Sequence, residues 1–302
     1  MNKSVVIIGS KVPTDKNNTS IIADALSKKN ITVHKLYWEN LLIEIKKGYL
    51  EVRHSGRSLK DYGPSNVLMF GWYQSAIYKE LAFVVAQYLH NNEIDFWNSE
   101  SLSQRSTGKL SCLAKLASSG VPVTETVFSL DFSNLNSDEY KFPFILKASM
   151  ASRGKRNFLI TDQNEFEGHA FDGANDLMMQ PFLPNDHDLR VICYNSEPML
   201  ILKRSRLAGS RSHLNNVSAQ GKAEWTAIDD VPSALLLNSK KICTVLNREM
   251  CGIDYIPDEK SSFGYSCLEV NAIPQLTSGY DVSTKMDSLA QTLSIKLGKK
   301  IT

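Results

Sequence analysis

Residues 267–276 read CLEVNAIPQL. An apolar, strand-like run ends there with a carboxylate, Glu269, and an amide, Asn271, and then stops at Pro274. Side chains at i and i+2 of a strand point to the same face. A carboxylate inside "SCLEVNAI" is costly if buried and unpaired, so it calls for a partner. The run CGIDYI at 251–256 reads as a second strand, joined to YSCLEVNA by the polar hairpin PDEKSSFG. Pairing the two brings Asp254 toward Glu269 and Asn271. Hard oxygen donors on adjacent strands suit magnesium, which takes one or two carboxylates together with phosphate oxygens.

Moving toward the N-terminus, the residues that complement such a site are cationic. A helix is predicted from about Ser106 to Ser119, stopped by Gly120 with Pro122 beyond, and it carries Lys109. The strand KFPFILKAS ends on Lys147. A lysine in a cleft supplies a point charge for a polyphosphate. The polar loop MASRGKR offers Ser152, Arg153 and Gly154 as a flap over phosphates. Arg190 in "DLRV" and Arg211 in "SRSHL" add forked donors suited to a phosphate or carboxylate. Each feature alone has a plainer reading. Lys147 reads as a solvated strand-end lysine, "GKR" as a hairpin turn, and Asp254 as a turn cap. Asp188 with Arg190 reads as a surface pair worth about 1 kcal/mol or less. The order and spacing of the whole set argue for the functional reading.

The chain has 302 residues, enough for about two domains. Its 42% hydrophobic and 22% charged content is that of an ordinary globular protein. A net charge of +2, from 34 basic and 32 acidic residues without long blocks of one sign, argues against a nucleic-acid or membrane-surface partner. No apolar run reaches the roughly 18 residues of a membrane span. The five cysteines are scattered without metal-binding spacing and read as reduced core residues of a cytoplasmic protein.

Strand and helix signals alternate over residues 1–97: SVVIIG, TSIIADALSKKN, ITVHKLY, NVLMFGW and AIYKELAFVVAQYLHNN. That alternation predicts a parallel α/β domain. It lacks G-x-G-x-x-G, so a dinucleotide site there is unsupported. The apolar helix near 76–90 is compatible with a homodimer. Farther on, LRVICYNSEPMLILKR reads as two antiparallel strands around an Asn195-Ser196 turn. SRSHLNNVSAQG reads as a loop, Ser233 to Met250 as an amphipathic helix, and Val282 to Lys299 as a closing helix.

The ordered series Lys109, FILKAS, MQPFL, DLRV, RSHL, GIDY and LEVNAIP resembles the ATP-grasp superfamily, especially its ribosomal-S6-modifying, glutamate-ligase-like (RimK-like) branch. The resemblance runs from about residue 100 to 290. It implies an α/β fold of the ATP-grasp type: an N-terminal α/β domain (1–97), a central lobe (98–179) and a C-terminal lobe with the metal site (180–302). Under it, Lys109 and Lys147 contact the nucleotide phosphates. The hinge Gln180, Pro181, Phe182 and Leu183 holds adenine, Asp188 sits near the ribose, and Ser212 and His213 line the nucleotide. Arg190 and Arg211 stabilise the transferring phosphoryl group. Asp254, Glu269 and Asn271 bind two magnesium ions, or manganese in their place.

The implied reaction is ATP-dependent carboxylate–amine ligation through an acyl phosphate, on an amino acid, a peptide or a peptide or protein C-terminus. The alternatives are a ligase forming amide or ester cross-links in a natural-product peptide, a kinase of the same fold, and a non-catalytic ATP-binding regulator. Departures cluster on the acceptor side. Gln275 stands where a small residue-Pro-Gly pattern is usual, Pro181 replaces a common acidic residue, and His213 replaces an asparagine.

Overall fold

The computed structural model describes residues 4–11, 18–71, 75–103, 108–131, 134, 141–149, 156–171, 176–206 and 222–298. The chain opens with the parallel sheet β2-β1-β6, formed by β1 (Ser4–Gly9), β2 (Thr32–Tyr37) and β6 (Pro64–Met69). Helices α1 (Asn18–Lys28) and α2 (Ala76–Asn91) accompany it. Every residue of β1 is buried because both of its faces are covered. Val5 and Ile7 enter one core with α1, and Val6 and Ile8 enter another with α2.

Inserted before β6 is an antiparallel meander that the sequence reading passed over: β3 (Leu41–Lys46), β4 (Tyr49–His54) and β5 (Arg57–Ser58). Its signal lay in "LLIEIKKGYLEV", alternating apolar residues around Lys47-Gly48, with Gly48 at φ +69°. Helix α2 buries Ala82, Val85, Ala86, Tyr88 and Leu89 against this part of the chain. Ile77, at the start of the helix, stays exposed.

Helix α3 (Lys109–Ser118) precedes the four-stranded antiparallel sheet β7-β10-β8-β9. Its strands are β7 (Val127–Phe128), β8 (Phe144–Ala148), β9 (Asn157–Ile160) and β10 (Leu177–Pro181), with α4 (Gln163–Phe171) following β9. The last sheet is antiparallel in the order β13-β12-β11-β14-β15. It comprises β11 (His187–Tyr194), β12 (Glu197–Ser205), β13 (Lys222–Thr226), β14 (Met250–Pro257) and β15 (Tyr265–Asn271). Helix α5 (Ser233–Leu246) packs on it, four residues shorter than the expected span because Asn247 takes the left-handed conformation and caps the helix.

Alternation along β11 sorts the two faces. Leu189, Val191 and Cys193 face α5 in one core. On the other face Ile192 and Tyr194 join a core with α1 and α6 (Val282–Lys296), to which Leu289 and Leu293 contribute. The closing helix therefore seals the N-terminal sheet against the C-terminal one. Cys193, Cys243 and Cys251 bring three sulfurs within 4.8 Å of one another, a gathering hidden by their spacing in sequence. All five cysteines are free and buried.

A buried polar joint reinforces the seam. The Arg248 side chain, 1% exposed, donates from Nε to Glu100 Oε1 at 2.8 Å and from Nη1 to the Val270 carbonyl at 2.7 Å. Removing one partner of a buried ion pair leaves an uncompensated charge. Arg248→Met is expected to lower the unfolding free energy by about 3–5 kcal/mol, read from the shift of a urea denaturation midpoint.

Candidate functional site

The pairing of β14 with β15 sets Asp254 directly opposite Glu269, and β11 sets Arg190 opposite Asp254. Directly opposed residues of antiparallel strands share a face. Glu269, Asp254 and Arg190 thus form one row across three strands. The next row on that face is Asn271, Gly252 and Ile192. Gly252 is required there, since a Cβ at this position lies 2.9 Å from Pro274 Cβ and 3.6 Å from Arg190 Cδ. The missing side chain lets the chain after β15 fold back over the row.

Asp254 is buried between two guanidinium groups. Arg190 donates from Nε to Oδ1 at 2.6 Å and from Nη2 to Oδ2 at 2.7 Å, a bidentate fork. Arg204 Nη2 lies 3.3 Å from Oδ2, and Arg204 Nε donates to Asp188 Oδ1 at 2.5 Å. Two carboxylates and two guanidiniums therefore compensate one another in a buried chain. Burial alone pushes the Asp254 carboxyl up, and the two arginines more than offset that, bringing it down to about 2. Burial keeps the Asp188 carboxyl above its ordinary value despite Arg204, with Asp254 repelling it as well.

This geometry replaces two of the plainer readings. Asp188 and Arg190 are not a surface pair, since both are buried and Asp188 is held by Arg204 instead. Asp254 caps no turn; it lies inside β14. Arg204 was missed by the sequence reading and has no motif to announce it.

Opposite the row stand the two lysines. Lys109, the first residue of α3, places Nζ 3.8 Å from Glu269 Oε2. Lys147 sits at the end of β8 and is 5% exposed, so it is no solvated strand-end lysine. Desolvation brings its amine down to about 8; Glu269 pulls upward and Lys109 pushes further down. Two ammonium groups thus meet at Glu269, beside hard oxygen donors.

The hinge residues lie where β10 leaves its sheet. Gln180 is buried, and its Nε2 donates to Thr126 Oγ1 at 2.8 Å, so its side chain braces β10. Pro181 ends the strand, opposite Phe144. Phe182 and Leu183 follow, half-buried, with the Leu183 carbonyl accepting from Asn185 Nδ2 at 2.7 Å. Ser152, Arg153, Gly154, Arg211, Ser212 and His213 lie outside the described residues.

The donor set fits a divalent cation in part. Glu269 is half-buried and pairs with Lys109 at 3.8 Å, and Asn271 stands two residues on along the same face of β15. A carboxylate and an amide oxygen side by side on one strand face are hard donors that suit a magnesium ion. Asp254 differs, because both of its oxygens already accept from guanidinium groups.

The comparisons agree with this architecture. The family profile described as a RimK-like ATP-grasp domain matches residues 106–295. Among solved structures, the ATP-grasp ligase PsnB complexed with a minimal precursor superposes with a TM-score of 0.71 at 15% identity, covering 98% of this chain and 100% of that one. The macrocyclase MdnC bound with precursor peptide MdnA, from Microcystis aeruginosa MRC, gives a TM-score of 0.66 at 12% identity, covering 96% and 99%. A Chryseobacterium gregarium RiPP-associated ATP-grasp ligase, in complex with ADP and a leader and core peptide, gives 0.63 at 13%, covering 97% of each chain. At these identities the likeness is one of fold. Comparison with curated protein sequences gives no match.

The buried ion-pair chain has an acid signature. A carboxylate depressed in the folded state adds stability above its ordinary value, and that stability is lost as pH falls through the folded value. For Asp254 the window runs from 3.8 down to about 2. Asp254→Asn is expected to destabilise the protein by about 3–5 kcal/mol at pH 7 and to flatten this part of the stability–pH curve, measured by denaturation across that range.

Proposed function

Because the chain belongs to the RimK-like ATP-grasp family, we propose that it is an ATP- and magnesium-dependent ligase joining a peptide carboxylate to an amine. The observation that supports this reading is the approach of Lys109 and Lys147 to Glu269, from α3 and β8 respectively. A polyphosphate suits two ammonium groups that meet at one carboxylate.

Magnesium supplies charge neutralisation at the phosphate oxygens when bound. Glu269 and Asn271 would hold it, with Asp254 joining once its guanidinium partners yield; two ions is the expected number and manganese an acceptable substitute. Lys109 and Lys147 orient the phosphates, and the backbone of Pro181, Phe182 and Leu183 receives adenine. Arg190 faces the transferring group. A substrate carboxylate oxygen attacks the γ-phosphorus and ADP departs. The amine nitrogen then attacks the acyl carbon, phosphate leaves, and the nitrogen loses a proton. The chain's contribution is positioning and preorganised charge. Ser152, Arg153, Gly154, Arg211, Ser212, His213 and Asp188 keep their proposed nucleotide-side roles.

A peptide is favoured over a free amino acid as the carboxylate donor. Three solved neighbours of full-length coverage are complexes with precursor or core peptides. No described helix is long and apolar enough to cross a membrane. The need for ATP, together with five free cysteines, fits the cytoplasm.

Coupled release of ADP and phosphate from ATP, magnesium and pooled amino acids and short peptides tests the reading. Substrate-dependent release of both products is expected, reduced about 10²–10³-fold in Glu269→Ala. ADP without phosphate would assign a kinase instead, and tight ATP binding without turnover a regulator.

A further inference from the structure

Behind the row of Arg190 and Asp254, on the other face of the same two strands, three thiols converge. Cys193 on β11 stands directly opposite Cys251 on β14, so their side chains share a face. Alternation turns that face toward α5 and away from the functional row. Cys243 joins the pair from the last turn of α5. The three Sγ atoms all lie within 4.8 Å of one another, and those of Cys243 and Cys251 are 3.5 Å apart. None of the three residues is more than 1% exposed, in a core shared with Leu235, Ile242 and Leu246.

A buried thiol packs as a small apolar group, so burial alone assigns it no role. Cys112 and Cys267 occupy the same core on those terms and are not part of the group. What sets the three apart is the gathering of soft donors from three elements within one coordination sphere. Bonds of about 2.3 Å from one centre to three sulfurs, at tetrahedral or slightly smaller angles, hold those sulfurs about 3.5–3.8 Å apart. Cys243 and Cys251 already have that spacing, and the other two pairs lie within reach of it. A structural zinc ion takes four ligands, and among the described residues no further Cys, His or carboxylate joins the group. An apolar core also penalises any complex left with a net charge. A centre that makes three bonds to sulfur and ends neutral meets both conditions, and trivalent metalloids are such centres.

We propose that Cys193, Cys243 and Cys251 form a binding site for a trivalent metalloid taken up as its neutral hydroxide, with arsenite as the representative. One As(OH)3 and three thiols give one As(SR)3 and three waters. Three As–O bonds break and three As–S bonds form, each thiol proton leaves on a hydroxide, and no atom changes oxidation state. Cys243 begins the exchange. It lies in the last turn of α5, beside the Asn247 cap, where local opening of the helix end uncovers it. Hydrogen bonds from Cys193 and Cys251 draw its thiol down to about 5, which gives it the thiolate character of a nucleophile. The two strands then supply the second and third sulfurs. Once bound, the metalloid ties α5 to β11 and β14 and stabilises the fold by mass action.

The test uses the full chain, kept reduced with a phosphine because a dithiol would itself chelate arsenic. Arsenite is added, and the intact mass under non-denaturing conditions is recorded together with the arsenic K-edge X-ray absorption spectrum. The expected result on the wild-type chain is a gain of one arsenic with loss of three hydrogens, and a first shell of three sulfurs without oxygen. This species persists in Cys112→Ala and in Cys267→Ala, and it is lost in each of Cys193→Ala, Cys243→Ala and Cys251→Ala. The urea denaturation midpoint rises with arsenite only where the species forms. Loss of two hydrogens with a hydroxyl retained on arsenic overturns the three-thiol site, as does a three-sulfur species that survives Cys243→Ala or disappears with Cys112→Ala. Absence of arsenic uptake by the wild-type chain overturns it as well. Mass and absorption on the wild-type chain decide the coordination even where a core variant fails to fold.

Discussion

The interaction on which the rest of the site depends is the bidentate grip of Arg190 on Asp254, backed by Arg204 and Asp188. Taking four charged groups out of water costs several kcal/mol each, and only close, multiply bonded pairing offsets it. The chain therefore permits little slack in register. Asp254 must stand opposite Arg190, and Asp188 opposite Arg204, or a charge is left alone. The row that contains Glu269, where the lysines meet, inherits its position from that requirement.

The same sheet serves two purposes because one of its faces changes character along the strand. At the β11 end bearing Ile192 and Tyr194 it is apolar, and α6 and the N-terminal unit cover it. At the end bearing Asp188 and Arg190 it is charged. Hydrophobic burial holds the sheet in place from one end while the polar end stays free to do chemistry. Closing helix α6 joins the two roles, since Leu289 and Leu293 pack on the core while Lys285 reaches the turn that carries Gln275.

The two lysines reach Glu269 from different elements: Lys147 from β8, and Lys109 from α3, which packs in the same core as α5 and β15. Lys147 loses much of its hydration, and the pull of Glu269, which Lys109 also approaches, and of Asp254 does not offset that loss. A pair of ammonium groups held in that state gains most from an incoming polyanion.

Local sequence determined a good deal. The alternation of strand and helix signals placed β1, β2, β6, α1 and α2, and the spacing of Asp254, Glu269 and Asn271 put the three oxygen-bearing groups on paired strands, because period-two patterning and turn chemistry are properties of a few adjacent residues. The β3–β5 meander was legible too, in the Lys47-Gly48 turn. What lay beyond reach was pairing at a distance. Counting back from the Asn195-Ser196 turn sets Asp188 opposite Lys203, but the irregularity at Ile192/Cys193 advances the register by one and delivers Arg204 instead. One residue of slip reverses which side chain faces the cleft. The burial of Lys147, the approach of Lys109 to Glu269, the meeting of Gln275 with Arg190 and the gathering of three cysteines are likewise decisions of tertiary structure. Each depends on elements far apart in the chain, and desolvation and charge compensation are settled only when those elements close on one another.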